Sequence, residues 1–267
     1  MEERDAARIT AMQCAIDGFE DVTRSLGDDE WHQPTGCPGW SVKDNVSHVV
    51  GLESVLLGDD EPDIDLAGDL PHVRGQMGRY LETHVEARRD SLVADLVDEL
   101  DEVFSRRRAM LAAQDDIDVE VAAPMGGSWR LKSFLAIRTF DIWAHQQDIR
   151  RAVGRPGRLD DAAAEVAMTR MLRGLAHYLP DRLGKPQATL SLEVTGPRMG
   201  VLYLDLNSGE QLRDHPADPT VSLVMDFADL VPLACGRDDA ADPAEVAKVD
   251  GDAGLAARLL TELTVTP

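Results

Sequence analysis

Three side chains able to bind a metal ion or move a proton lie close together in "DIWAHQQDIR", residues 141–150. Asp141, His145 and Asp148 are spaced at i, i+4 and i+7, which places them on one face of a helix. The apolar residues around them predict that this face meets the core. Two carboxylates and an imidazole there indicate a polar partner, and cores of helical bundles are a known location for metal sites.

A second histidine, His48, lies in another predicted helix, within "SVKDNVSHVVGLES". Its valine neighbours predict that it faces or borders the core, where a lone histidine is more often a hydrogen-bonded core residue than a ligand. The combination with Asp141 and His145 favours a ligand, because antiparallel helices can bring the three together. Two imidazoles and one carboxylate with an open fourth position suit catalytic zinc or another divalent ion.

The roles of several neighbouring residues stay open on sequence alone. Asp148 either orients the His145 imidazole as an outer hydrogen-bond partner or is a surface charge that pairs with Arg151 or Arg155. Cys37 precedes the second helix, whose dipole can lower a thiol pKa, but no base is near in sequence and a structural role is favoured. The triplet 106–108 (Arg-Arg-Arg) is most simply a solvated face. The other histidines lack partners at metal-ligand spacing: His32, His72, His84, His177 and His215.

The composition excludes several classes of function. The chain has 267 residues and a formal net charge of −22, which disfavours binding to nucleic acid or to anionic membranes and promotes solubility. No apolar run is long enough for a transmembrane helix, and the charged N-terminus does not resemble a signal peptide, so we expect a cytoplasmic protein. Three cysteines without a C-x-x-C pair indicate a reducing compartment and no cysteine zinc site. Nothing indicates an oligomeric state.

The elements that must position these residues change character along the chain. Helical periodicity predicts helices or helical regions over 4–26, 41–57, 73–113, 130–153 and 160–178, with Ser41 and Asp44 forming a capping box and Pro180 ending the last helix. The segment around "PMGGS" is predicted to be a loop. Alternation then predicts strands in "ATLSLEVTG", "GVLYLDLNSG" and "TVSLVM", the first two forming a hairpin. Two further helices flank a short strand in "EVAKVDG".

Helices first and mixed elements afterwards predict an α+β protein of two domains. We expect a metal-binding helical bundle over residues 1–155. Residues 156–267 are then expected to form a linker helix followed by a smaller mixed α/β domain.

Two segments resemble one known family. "PTGCPGWSVKDNVSHVVGLE" (34–53) resembles the signature of DinB-like metal-binding four-helix bundles, in particular the N-terminal domain of mycothiol-dependent maleylpyruvate isomerases. "DIWAHQQDIRRAVGRP" (141–156) is similar to the family's second signature, a carboxylate and a histidine ahead of a Gly-Arg-Pro turn. The resemblance implies an up-down bundle with His48, Asp141 and His145 as the ligands. The family's carboxylate ligand is usually glutamate, and Asp141 is one methylene shorter.

The resemblance extends to the C-terminal half, which is similar to the family's smaller, sterol-carrier-like domain. Gly236 and Arg237 stand where the family has an arginine facing the active-site cleft. The resemblance implies that a divalent metal, commonly zinc, activates the thiol of mycothiol, a thiol of actinobacteria, for addition to an electrophilic small molecule. Arg237 would neutralise a substrate carboxylate or developing enolate.

Three functional hypotheses remain open on the sequence. The first is a mycothiol-dependent isomerase or S-transferase. The second is a non-catalytic metal-binding or ligand-binding module, and the third is a metal-dependent hydrolase that uses water as the nucleophile. Dependence on a thiol distinguishes the first hypothesis from the other two.

Overall fold

The computed structural model describes residues 3–66, 68 and 70–266. Contacts divide the chain into a first compact unit that ends at Gly157 and a second unit that runs from Arg158 to Thr266. The first unit is helical and the second combines helices with a four-stranded sheet, so the predicted α+β class is confirmed. Across the described ranges, no helix combines the length and the apolar composition that crossing a membrane requires.

Within the described residues, the first unit contains five α-helices and a small hairpin. The helices are α1 (Glu3–Arg24), α2 (Val42–Leu56), α3 (Gly75–Glu86), α4 (Val93–Ala112) and α5 (Leu131–Ala152), and the strands are β1 (Glu120–Ala122) and β2 (Ser128–Arg130). A 3-10 helix, Asp28–His32, follows α1. Helix α1 packs along α5, and α2 contacts α3, α4 and α5.

A small residue in α1 leaves room for a side chain of α5. A Cβ added at Gly18 would lie 2.5 Å from the Gln146 side-chain amide, so a larger residue would require the buried Gln146 side chain to move. Phe19 follows Gly18 into the core and meets Phe104 of α4 edge to face, with ring centroids 6.0 Å apart. Helix α5, which carries Asp141 and His145, packs against α1 on one side.

Two predictions for the first unit are wrong in detail. The helical region predicted over 73–113 is two helices, because the chain turns between Glu86 and Val93. The predicted loop around "PMGGS" contains an antiparallel hairpin, in which Val121 pairs with Trp129. Three-residue strands joined by a Gly-Gly segment are too short to produce a recognisable alternation.

The second unit begins with α6 (Ala162–Arg182) and continues into a sheet of order β4-β3-β5-β6. The strands are β3 (Thr189–Thr195), β4 (Gly200–Asp205), β5 (Val221–Asp226) and β6 (Lys248–Gly251), and the remaining helices are α7 (Phe227–Ala234), α8 (Pro243–Val246) and α9 (Ala253–Leu260). The predicted β3–β4 hairpin is confirmed, while β3 and β5 are parallel.

The predicted end of α6 is wrong, because Pro180 lies inside the helix, which continues to Arg182. Pro180 is buried, and its carbonyl accepts a hydrogen bond from the Lys185 backbone N–H at 2.8 Å. A proline this near the end removes one backbone hydrogen bond and leaves little helix beyond it to disrupt.

Candidate metal centre

Helix α2 positions His48 through a capping box at its N-terminus. The Ser41 hydroxyl accepts a hydrogen bond from the Asp44 N–H at 3.2 Å, and the Asp44 carboxylate accepts one from the Ser41 N–H at 2.9 Å. This reciprocal pair fixes the first turn, as predicted, and His48 follows one turn after Asp44 on the same face. His48 is fully buried.

Helix α5 presents Asp141 and His145 to His48. The Nε2 atom of His48 lies 3.3 Å from Oδ2 of Asp141, and Nε2 of His145 lies 3.9 Å from Oδ1 of Asp141. The donor atoms of the three residues all lie within 4.8 Å of one another. The structure thus brings together the three residues that the sequence analysis selected.

Asn45 determines which nitrogen of His145 is available. Its Oδ1 lies 2.7 Å from Nδ1 of His145, and its Nδ2 donates to the Thr35 hydroxyl at 3.0 Å and to the Ser41 carbonyl at 2.8 Å. These two acceptors orient the amide so that its oxygen faces the imidazole. Nδ1 of His145 therefore carries the proton, and Nε2 presents its lone pair toward Asp141.

Asp148 also lies behind His145. Its Oδ2 is 3.3 Å from Nδ1 of His145, and its side chain is only 4% exposed. The interpretation of Asp148 as a surface charge is therefore wrong, and the alternative that it orients the imidazole agrees with its position.

A buried charge network holds Asp141. Arg138 donates from Nη1 to Asp141 at 2.7 Å and from Nε to Glu53 at 2.6 Å. The other oxygen of Glu53 accepts from Nε of Arg107 at 2.6 Å. Arg107 is fully buried with its guanidinium over the Phe134 ring, so the prediction of a solvated face over 106–108 is wrong for this residue.

The electrostatic environment favours ligand forms of these side chains. Burial lowers the pKa of His48 from 6.5 to about 4, so the imidazole is neutral at neutral pH. Burial alone would raise the pKa of Asp141, but the positive charge of Arg138 and the hydrogen bond with His48 outweigh it and hold this pKa below its ordinary value. A neutral imidazole and an ionised carboxylate are the forms that bind a cation.

Trp40 covers the two histidines. Its ring centroid lies 5.0 Å from that of His48 and 5.6 Å from that of His145. The indole N–H donates to Glu82 at 2.8 Å, and Arg89 donates to the other oxygen of Glu82 at 2.6 Å. Helix α3, which carries Glu82, thereby sets the orientation of the indole.

The donor set fits a small divalent ion. Two nitrogen atoms and one carboxylate are the ligand types of zinc sites that keep a position open for water or substrate. His48 and His145 are buried, whereas Asp141 is 27% exposed, so the cluster is accessible on the Asp141 side. Nδ1 of His48 has no hydrogen-bond partner within the part of the chain that the structure describes.

The residues named outside the cluster lie in several places. Arg237 belongs to the second unit, directly after α7, where its Nη1 donates to the Cys235 carbonyl at 2.8 Å. His84 is fully buried in α3. His72 contacts Glu82 at 3.2 Å. Cys37 lies beside His145 and Asp148.

Comparison with known proteins identifies the family. The sequence profile of the mycothiol maleylpyruvate isomerase N-terminal domain matches residues 12–150, more than half of the chain. The chain belongs to this family. The predicted membership is therefore confirmed.

Similar proteins and structures agree with this family. Two uncharacterized proteins from two strains of Mycobacterium tuberculosis are each 28% identical over 193 residues, which cover 67% of this chain and 85% of theirs. Crystal structures of the mycothiol-dependent maleylpyruvate isomerase and of a histidine-to-alanine mutant are 15% and 14% identical. Each covers 92% of both chains, with TM-scores of 0.59 and 0.58. At this identity the structures support the fold alone.

Sequence reasoning missed four residues that support the cluster, one of which is Arg107 of α4. Asn45 lies three positions before His48 on α2, Glu53 lies five positions after it, and Arg138 lies three positions before Asp141 on α5. The spacing of Asn45 and Arg138 relative to the proposed ligands was a usable signal, since residues three apart share a helix face. Glu53 and Arg107 gave no such signal, because their pairing joins different helices.

Proposed function

We propose that this chain is a divalent-metal-dependent enzyme that activates the thiol of mycothiol for addition to an electrophilic small molecule. The reaction is either isomerisation, in which the thiol is expelled again, or transfer of the thiol to the electrophile. We propose zinc as the ion, the cytoplasm as the compartment, and a bundle over residues 1–155 as the metal-binding domain. Family membership supports the thiol dependence.

The observation that carries the proposal is the cluster of His48, Asp141 and His145. Its donor atoms lie within 4.8 Å of one another, and the cluster is accessible past Asp141. A divalent ion held there would favour the thiolate form of a thiol, which is the nucleophile.

The chain's own residues would keep the arrangement fixed during the reaction. Asn45 holds the proton on Nδ1 of His145, so that Nε2 stays available. Arg138 orients the Asp141 carboxylate through Nη1. Trp40 shields the two imidazole rings from water on its side. Arg237 is proposed to neutralise a carboxylate or developing enolate of the substrate.

The decisive experiment measures metal content and thiol-dependent turnover on the same samples. Metal-free protein is reconstituted with Zn²⁺ and assayed with maleylpyruvate and with a bimane electrophile, each with and without mycothiol. We expect one ion per chain and turnover of at least one electrophile only with mycothiol. His48→Ala and His145→Ala should lose the ion and the turnover, whereas the exposed-histidine control His32→Ala should keep both.

Two results would contradict the proposal. Metal-dependent turnover at the same rate with and without mycothiol would favour a hydrolase that uses water as the nucleophile. Failure of the wild-type protein to bind any divalent ion after reconstitution would favour a non-catalytic module. Circular dichroism of each variant separates loss of the ion from loss of the fold.

A further inference from the structure

A second group of metal-binding side chains lies on the other side of His145. Cys37, His145 and Asp148 each offer one donor atom, and these atoms lie within 4.8 Å of one another. All three residues are buried. Because Asp148 lies 3.3 Å from Nδ1 of His145, whereas Asp141 lies on the Nε2 side, the two groups share one imidazole through different nitrogens.

The loop before α2 holds Cys37 in place. The Cys37 N–H donates to the Thr35 hydroxyl at 3.2 Å, and its carbonyl accepts from the Trp40 N–H at 3.1 Å. Asn45 adds a fourth donor atom, because its Oδ1 lies 2.7 Å from Nδ1 of His145. Sulfur, nitrogen and a carboxylate oxygen therefore lie close together, with the Asn45 amide oxygen beside the imidazole nitrogen.

The two groups differ in charge and in access. In the first group, two neutral imidazoles and one carboxylate would leave a divalent ion with a net charge of +1. Solvent and ligands can reach this ion past Asp141, which is 27% exposed. A Cys37 thiolate and the Asp148 carboxylate would neutralise a divalent ion completely, and their side chains are buried. The first pattern resembles open catalytic sites and the second resembles closed ones.

Simultaneous occupation of both positions is disfavoured. A neutral imidazole has one lone pair, so an ion on Nδ1 places the proton on Nε2, and an ion on Nε2 places it on Nδ1. Binding at the second position would also release the thiol proton of Cys37 to solvent and break the bond between His145 and Asn45.

We propose that Cys37, His145 and Asp148, assisted by Asn45, form a second divalent-metal position that excludes an ion from the first. The thiolate makes this position selective for soft ions such as Cd²⁺ over harder ones. An ion there withdraws His145 from the His48–Asp141–His145 group. The position is therefore inhibitory if that group is the catalytic centre proposed above, whereas the metal-binding part of the inference does not rest on the thiol chemistry.

Titration of the metal-free protein with Cd²⁺, without added thiol, tests the proposal through the ultraviolet charge-transfer absorption of cadmium thiolate, recorded as a difference spectrum. We expect one equivalent per chain with this absorption in the wild type and in Asp141→Asn, which disables only the first position. Cys37→Ser should lose the absorption and bind Cd²⁺ at least roughly tenfold more weakly, since loss of even an outer partner costs about 10- to 100-fold. The control Cys14→Ser should match the wild type.

Three outcomes would overturn the proposal. They are absence of thiolate absorption in the wild type and Asp141→Asn, its survival in Cys37→Ser, and tight binding of two equivalents per chain. His48→Gln, a second variant that spares the Cys37 group, should give the same result as Asp141→Asn. Circular dichroism verifies the fold of each sample before titration. Because no turnover is measured, the result is independent of the proposed reaction.

Discussion

Asn45 links the loop before α2, the start of that helix and the imidazole of His145. Its amide donates to Thr35 and Ser41 while its oxygen faces Nδ1 of His145. Together with Asp148, which lies 3.3 Å from the same nitrogen, Asn45 therefore favours one tautomer of a proposed ligand. No apolar pattern or cap rule identifies such a residue in a sequence.

Replacing Asn45 should weaken metal binding without removing any proposed ligand. We expect Asn45→Ala to raise the dissociation constant for Zn²⁺ by roughly 10- to 100-fold, the usual cost of losing an outer hydrogen-bond partner. Competition with a chromogenic chelator measures this constant. Ser47→Ala, a change at a buried polar residue on the same helix, should have no effect. Equal affinities for Asn45→Ala and wild type would show that Asn45 does not control His145.

Buried histidines predict how the stability of the metal-free protein depends on pH. Burial lowers the pKa of His48 from 6.5 to about 4 and that of His84 from 6.5 to about 3. Their contribution to stability is complete above pH 6.5 and is lost as the pH falls toward the folded values, because the unfolded chain binds protons that the folded chain does not. Each should lower the free energy of unfolding by about 1.4 kcal/mol per pH unit between pH 6 and 5.

Urea unfolding at pH 7, 6 and 5 measures this slope. His84→Gln should remove about half of the pH slope of the unfolding free energy that the two buried histidines produce. His32→Gln, at an exposed position, should leave this slope as in the wild type. A slope unchanged by His84→Gln would contradict the proposed neutral state of this residue.

Sequence analysis selected the proposed ligands because their types and spacing are unusual on core-facing helices. It could not place Arg107, because three consecutive arginines look alike in sequence while only the middle one is fully buried. Its position depends on Glu53, a residue on another helix. Contacts of this kind depend on how helices pack, and a single sequence does not contain that information.

At the scale of the elements, Glu53 joins three helices of the bundle. It extends from α2 to Arg107 on α4 and Arg138 on α5, and all three side chains are buried. Glu53→Gln would leave two buried guanidinium groups without this counter-charge. Loss of one partner from a buried ion pair typically costs about 3–5 kcal/mol of unfolding free energy, and we expect a loss of that size here.

Chemical denaturation of the metal-free protein checks this value. The matched control is Asp59→Asn, which breaks a pair with Arg106, the chain neighbour of Arg107. Both partners of that pair are partly exposed, so we expect a loss of less than about 1 kcal/mol. Similar losses in the two variants would show that the buried network adds no special stability.

Capping and periodicity rules predicted those helices and strands whose sequences carry a clear pattern. The capping box of Ser41 and Asp44 defined the start of α2, and alternation defined β3, β4 and β5. The break between α3 and α4 was missed because residues 87–92 contain neither glycine nor proline. The β1–β2 hairpin was missed because its three-residue strands are too short to show a recognisable alternation.

At the scale of the whole molecule, metal binding and turnover should be separable. All residues of the proposed metal centre lie in the unit that ends at Gly157, whereas Arg237 lies in the other unit. We expect a fragment of residues 1–157 to bind Zn²⁺ with the affinity of the full chain but to lack turnover. In the full chain, Arg237→Gln should keep the ion and lower kcat/KM by roughly 100-fold, a typical loss for one group that stabilises developing charge.

Elemental analysis of the fragment and steady-state kinetics of the full-length variants measure these effects. Arg213→Gln, a change at an exposed arginine of the same unit, should keep the wild-type rate. If the fragment folds but binds no ion, the metal centre requires both units. If Arg237→Gln is fully active, another group must neutralise the substrate.

Trp40 is an intrinsic fluorescence probe for metal binding at the proposed centre. Its indole lies 5.0 Å and 5.6 Å, between ring centroids, from the two histidines that we propose as ligands. Cu²⁺ and Co²⁺ have partly filled d shells and should quench the emission of Trp40. Zn²⁺, whose d shell is full, should leave the emission intensity unchanged. Subtracting the signal of Trp40→Phe isolates this emission from that of the other tryptophans. The arrival and departure of an ion can then be followed in real time by stopped flow.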